Sequence, residues 1–499
     1  MFGGYQSSVS CRALIVATGV AMFGSSALAA DLGGNCCADL EERVAELEAT
    51  TARKGNRKVS LQIYGQVSES IVWWNDGAES NVYVLENNNI QNRVGFQGNA
   101  RINSDWSAGY KLELQVRAYR SSASNQLSLG TSNNVQIATY NTQSVSIREA
   151  HWFLRSNTYG TITVGRSADA AIGTSTINLV NPDGFSGLNG PGFANGGFFV
   201  RRAGSTGSGA GNLSSLTWQN FAWIRNGDGP TPMDYATTSA SVKYTSPFFL
   251  GQTKSSGFLF SAGWGMDDAW SVALRYVEDF GAFRVAAGVG YSMWTGLDRG
   301  MCSTGEATSG STTDGTRESN TDCNSIQASA SLLHTASGLY LSGGWAQMQD
   351  KLSQRALNTA LGNNAASIAA AGAAKGESSA WWVQAGWQAR LNTLGSTIFW
   401  GQWTEYSTGL GVATSNVQTL AVGDVLNNTG GTALIAGTST NVWSLGISQN
   451  IDAAAMTLYA GFHNYETSGT LIRQSTGARS SARAIDDMQL FYTGATIRF

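Results

Sequence analysis

The side chains in this chain with chemistry to offer are cations set at even spacing. Arg93 and Arg101 fall where Val94, Phe96, Ala100 and Ile102 alternate with polar residues. Lys111 and Arg117 fall on the polar side of Tyr110, Leu112, Leu114 and Val116. Alternation puts each pair on the face opposite the apolar one. Fixed cations on a wet wall, opposed by carboxylates, make a transverse field. Such a field orients dipolar solutes and disfavours apolar ones, which cannot repay the loss of ordered water. Covalent chemistry is not legible. His151, His334 and His463 are the only histidines and none has a partner pattern, and no G-x-S-x-G, H-E-x-x-H or P-loop occurs. No C-x-x-C or Cys/His spacing suggests zinc, so neither enzymatic activity nor a cofactor is expected.

The elements that must position these cations have period two. Val59, Leu61, Ile63 and Val67 alternate with Ser60, Gln62, Gln66 and Ser68, and the same rhythm runs through 90–102 and 110–117. Such stretches exceed the roughly 5–6 residues usual in globular strands and match the roughly 9–11 of a tilted membrane strand. The rhythm predicts sixteen strands, near 59–74, 89–102, 107–119, 143–155, 159–166, 238–246, 257–266, 269–277, 282–294, 325–334, 339–348, 379–391, 396–407, 440–451, 454–466 and 487–499. Their connections alternate between short turns, such as 103–106 and 335–338, and long polar links, such as 295–324 and 408–439. Short turns on one side and long loops on the other are the habit of a membrane barrel, and a soluble sandwich has no reason for them. The third long link, near 167–237, is by far the longest.

Composition agrees. Of 499 residues only 13% are charged and 10% aromatic, and no apolar run approaches the roughly 20 residues of a membrane helix. That suits strands with one lipid-facing and one water-facing side. A net charge of −3 argues against nucleic acid as a partner. At the N-terminus, Arg12, the apolar stretch 13–23 and Ala27-Leu28-Ala29 predict a signal peptide over 1–29, hence export to an oxidising compartment. Residues 30–58 are unlike the rest of the chain. Cys37, Leu40, Val44, Leu47 and Thr51 keep a 3-4-3-4 spacing, an amphipathic or coiled-coil helix, and Arg53-Lys54-Gly55-Asn56-Arg57-Lys58 is a basic hinge. Residues 59–499 are then the barrel. Cys302 and Cys323 bracket a polar segment and predict a disulfide closing an exposed loop. Cys36 and Cys37 are adjacent and cannot easily pair with each other.

The last strand ends Phe491-Tyr492-Thr493-Gly494-Ala495-Thr496-Ile497-Arg498-Phe499, with Phe491, Ala495, Ile497 and Phe499 on one face and Thr496 and Arg498 on the other. A final strand of this kind pairs with the first and faces lipid. Further segments carry a family likeness: Asn92-Arg93-Val94-Gly95-Phe96-Gln97-Gly98, Tyr159-Gly160-Thr161-Ile162-Thr163-Val164-Gly165-Arg166 before the long third link, and Ser241-Val242-Lys243-Tyr244-Thr245-Ser246-Pro247 after it. With the terminal phenylalanine and the helical prefix at 39–48, the chain resembles the general diffusion porins of Gram-negative bacteria, in their alphaproteobacterial branch.

That resemblance implies an all-β fold: a 16-stranded antiparallel transmembrane barrel in the outer membrane, narrowed by the third loop folding inward. It implies a homotrimer, contact with outer-membrane lipid and lipopolysaccharide, passage of small hydrophilic solutes and ions, and attachment to peptidoglycan through the N-terminal segment. It adds Arg148 to the basic wall of Arg93, Arg101, Lys111 and Arg117. Across from that wall the third loop offers Asp169 and Asp183. The same loop also carries Arg201, Arg202 and Arg225, which leaves ion preference open and supplies the fallback constriction residues. Glu69 interrupts the apolar face of the first strand, so it is either a trimer contact or turned inward by a bulge. Trp73, Trp74, Trp294 and Trp381 lie at strand ends, as an interfacial girdle requires; lumen-facing aromatics that stack on sugars are the alternative. Two other functions stay open: a substrate-selective channel for sugars or peptides, and a non-conducting adhesin barrel.

Overall fold

The computed structural model describes residues 59–116, 119–127, 145–205, 210–221, 239–265, 269–294, 323–350, 353–374, 376–409 and 419–499. The predicted signal peptide, the helical segment with its hinge, Cys36, Cys37, Arg117, Arg225 and Cys302 lie outside them.

Period two becomes geometry at β1, Gln62–Asn75. Ile63, Val67 and Ile71 are exposed on its outer face, while Gln66, Ser68 and Ser70 are buried inside. Each next barrel strand repeats the pattern: β2 Arg93–Arg101, β3 Trp106–Val116, β4 Val145–Ser156, β5 Gly160–Ser167, β6 Ser239–Thr245, β7 Gly257–Gly265, β8 Ala269–Asp279, β9 Phe283–Trp294, β10 Cys323–His334, β11 Leu339–Asp350, β12 Glu377–Ala389, β13 Thr397–Gly409, β14 Ala433–Ile451, β15 Met456–Arg473 and β16 Met488–Arg498. All pair antiparallel with their sequence neighbours. β16 closes on β1 through Gln66↔Arg498 to Asn75↔Gln489, which makes a closed barrel of sixteen strands. Closure leaves no backbone edge unpaired, the condition for crossing lipid with strands. The outer face is an apolar belt that includes Leu112, Trp152, Leu274, Leu341, Leu445 and Leu458. No described helix is long and apolar enough to cross a membrane.

All sixteen predicted strands are present, most within a few residues of the expected bounds. The second departs in form. It begins at Arg93 rather than 89; an additional strand not among the sixteen expected, Ser80–Glu86, pairs with the top of β1, and 87–92 leaves the wall between the two. Three consecutive asparagines fit a pleated strand poorly, and Gln91 takes a positive φ of 65°. Side chains replace the lost ladder: Gln66 Nε2 donates to Ile90 O at 2.6 Å, and Asn92 Oδ1 accepts from Ser68 N at 2.7 Å.

The short turns are tightly made. Gly338 closes the β10–β11 turn with φ 73°, and a Cβ there would lie 1.8 Å from Gln388 O. Asp105, between β2 and β3, accepts from Ser156 Oγ at 2.6 Å and from Thr158 N at 3.1 Å, joining two neighbouring turns. Its carboxyl is held below the ordinary range, chiefly by the Ser156 hydroxyl.

Two sequence expectations are settled by facing. Glu69 is on the outer side and exposed, accepting from Asn92 Nδ2 at 2.8 Å beside Ala495 of β16, so no bulge turns it inward. Trp73 and Trp381 face outward, but Trp74 does not: it is fully buried in the lumen, because adjacent strand residues face opposite sides.

Candidate pore constriction

The third loop enters the barrel after β5 and runs down one wall. Asp169 accepts from Ser292 Oγ of β9 at 3.2 Å and also contacts Ser271 Oγ of β8. Arg275 of β8 donates to Ala170 O at 2.8 Å. Lower down, Ser329 Oγ of β10 donates to Thr174 O at 2.7 Å and accepts from Ile177 N at 2.8 Å. Asn178 Nδ2 donates to Gln384 of β12 at 2.7 Å. Asp183 reaches the far end of β16, where Arg498 donates to both its oxygens at 2.9 Å. The loop then climbs. Gln402 of β13 clasps Gly187 N and O at 2.8 and 2.9 Å, and Tyr465 of β15 donates to Pro191 O at 2.7 Å. Inward Ser and Gln residues, which the sequence shows only as the polar half of the alternation, thus satisfy loop backbone that would otherwise be buried without partners.

From Phe185 onward, through the short helix α1, Gly190–Asn195, the loop packs as well as hangs. Phe193, Phe198, Val200, Leu216, Trp218 and Phe221 join one apolar core with inward residues of β1 and β13–β16. Trp74 meets Phe198 edge-on at 5.3 Å and Trp218 lies 5.5 Å from Tyr465. Over this core Arg201 is almost fully buried and pairs with Asp76 at 2.8 Å. One sector of the lumen is therefore filled.

The opposite sector is charged. A β-bulge opposite Glu113 and Leu114 leaves Arg148 without a register partner, which brings Arg148 and Glu149 both to the inner side. That explains why alternation is ambiguous there. Arg148 Nε lies 2.8 Å and Arg93 3.7 Å from Glu113, which also accepts from Tyr64 OH at 2.7 Å. Lys111 lies 3.4 Å from Glu113 and 3.0 Å from Glu149. The wall is thus an alternating network rather than the purely basic surface of the sequence reading. Glu113 and Glu149 were missed as site residues, although Glu113 is legible as an inward residue between Leu112 and Leu114.

Between this wall and the loop lies a polar cavity of about 160 Å³, bordered by Asn89, Gln91, Arg93, Arg148, Asp183 and Trp382 among others. Of the candidate residues, Arg93, Arg148 and Asp183 meet here. Lys111 is next to the cavity through Glu113. Arg101 sits beside the β2–β3 turn, donating to Asn103 O at 2.9 Å. Asp169 is held at the β8–β9 wall, where it does not face Arg93 or Arg148. The fallback residues are elsewhere too: Arg201 is in its buried ion pair, and Arg202 is exposed where the chain bridges to Ile485. Cys323 begins β10, and its predicted partner Cys302 is outside the described residues.

A closed antiparallel barrel with an apolar belt, polar lumen and inward loop belongs to the class of membrane-spanning β-barrels. No protein-family model and no curated protein matches the sequence. Among solved structures, the chain is similar to the anion-selective porin from Comamonas acidovorans (13% identity, TM-score 0.47, covering 88% of this chain and 100% of that one). It is also similar to OmpF of Salmonella typhi in complex with daunomycin (14%, 0.45, 89% and 98%). A third is in-vitro folded OmpT, an outer membrane protein of Vibrio cholerae (12%, 0.45, 89% and 99%). At these identities the likeness says nothing about which residues act or on what.

Proposed function

We propose that the chain is an outer-membrane porin, a water-filled channel through which small hydrophilic solutes and ions diffuse passively. The observation that carries this is the polar cavity between Arg93, Arg148 and the inward loop, inside a closed barrel whose outer face is apolar. Planar-bilayer recording tests it: stepwise conductance is expected, and its absence overturns the reading. The apolar core filling one sector supports a second reading, a plugged binding barrel, which the same recording separates.

The constriction is set by Arg93, Arg117 and Arg148 against Asp183. Replacing Arg93 and Arg117 together by Ser removes two cations from a narrow passage, so cation preference should rise, most at low salt. An unmoved reversal potential would remove both from the narrowest point. Assembly as a trimer follows from Glu69, since a carboxylate on a lipid-facing strand is costly unless a subunit covers it. Unheated gel samples should run as an SDS-resistant oligomer that collapses on boiling. Peptide mapping should find Cys302 bonded to Cys323.

A further inference from the structure

The geometry points to a channel that favours anions, guided by a basic track of which Arg101, Arg155 and Lys243 are the lower steps. This rests on the channel reading. The inward faces of β2–β6 carry six cations, Arg93, Arg101, Lys111, Arg148, Arg155 and Lys243, against the two carboxylates Glu113 and Glu149.

The strand register orders these cations. Arg101, Ser107 and Arg155 form one row near the short turns. The next row up runs Asn99, Gly109, Phe153, Thr163 and Lys243. Above it, Lys111 pairs across to Gln97 and His151. Beyond the Glu113–Glu149 row come Arg93 and Arg148, at the cavity. Rows two residues apart are separated by about 7 Å along a strand. That is within the roughly 8 Å screening length at physiological ionic strength, so a small anion passes from one cation's field into the next.

Little in the described lumen cancels this charge. Glu113 is buried and surrounded by Arg93, Lys111, Arg148 and Tyr64, and Glu149 is held by Lys111. On the loop, Asp183 is neutralised by Arg498, and Asp169 is buried among serines beside Arg275. Lys243 is anchored there as well, donating to Ala168 O at 2.7 Å, which leaves Arg101 and Arg155 as the exposed lower steps. Among the described residues, β10, β12, β13 and β14 place no Asp, Glu, Lys or Arg on their inward faces. The apolar core closes the sector on that side, so solute must travel along the basic track. A wall of net positive charge, six cations against two carboxylates, in a narrow, low-dielectric passage raises the local concentration of the opposite ion.

The test is the reversal potential of single channels in a potassium chloride gradient. The expected sign is that of chloride carrying the larger current, and the preference should shrink as salt rises. Arg101→Ser with Arg155→Ser, far from the cavity, should lower the anion-to-cation permeability ratio by roughly twofold or more. Glu113→Gln should raise that ratio. Open channels with a zero or cation-side reversal potential, or a ratio unchanged by the Arg101/Arg155 pair in heat-modifiable, correctly folded protein, overturn the inference. Complete absence of channels overturns the porin reading and this one with it.

Discussion

Residues 168–189 and the described residues of 190–221 belong to one inward loop, yet the balance of polar pins and apolar packing that holds them differs. The first half is hung on the wall mainly by single polar side chains, Ser292, Arg275, Ser329, Gln384 and Gln402, until its end, where Phe185 and Leu188 join the apolar core. The second half is packed, with Phe193, Phe198, Trp218 and Phe221 in a continuous apolar core. Hydrogen bonds are directional and individually modest, so weak pins fix where 168–184 lies with little packing around it. Apolar packing is undirected and dense, so it fills space and excludes water. A lumen that must stay wet on one side and sealed on the other needs both.

Several variants separate the two modes. The largest effect is expected in the packed half. Phe198→Ala removes a ring that touches Trp74 and Tyr83, a loss of about 3–5 kcal/mol for a core Phe. Because the strands stay paired, protease should cut the third loop far faster while the barrel keeps its heat-modifiable mobility. Equal loosening of loop and barrel would show that the core holds the wall as well. Next is Asp183→Ala, which removes the carboxylate whose two oxygens accept from Arg498 Nη2, an arginine about a quarter exposed. A cost of about 1–3 kcal/mol is expected for a charge-assisted pair of this kind. Current noise should rise as the low point of the loop moves, with little change in thermal unfolding.

A single pin should matter less. Gln402→Ala forfeits both bonds to Gly187, about 1 kcal/mol each at most. Amide exchange at Gly187 should quicken, while exchange in 190–221 should not; a shared response would merge the two halves into one cooperative unit. The smallest effect tests a turn outside the comparison, as a control. The Asp105 carboxyl is held low by Ser156, so its bonds are intact at neutral pH and are lost only as pH falls through that lowered value. The protection of the Thr158 amide, its exchange relative to the intrinsic rate at each pH, should therefore fall in acid, and Asp105→Asn should abolish that pH response without touching the loop.

The chain itself determined the barrel. Alternation depends on neighbours two residues apart, so strand identity, facing and the sixteen-strand count were legible from Ile63, Val67 and Ile71 onward, as was the closing role of 487–499. Arg93 and Lys111 were placed inward by the same local rule. What alternation could not give was whom an inward residue meets. Trp74 faces the lumen because it follows Trp73, but only the third loop makes it core. Ser329 and Gln402 are inward by period; that they hold loop backbone depends on a path more than 150 residues away in sequence. Arg148 depends on a bulge, one unpaired residue that reverses facing and shows in the sequence only as a break in alternation at Arg148-Glu149. Strand facing is set by bonds along the chain, and partners across the lumen are set by where a long loop comes to rest, so the first was written in the sequence and the second was decided by the tertiary fold.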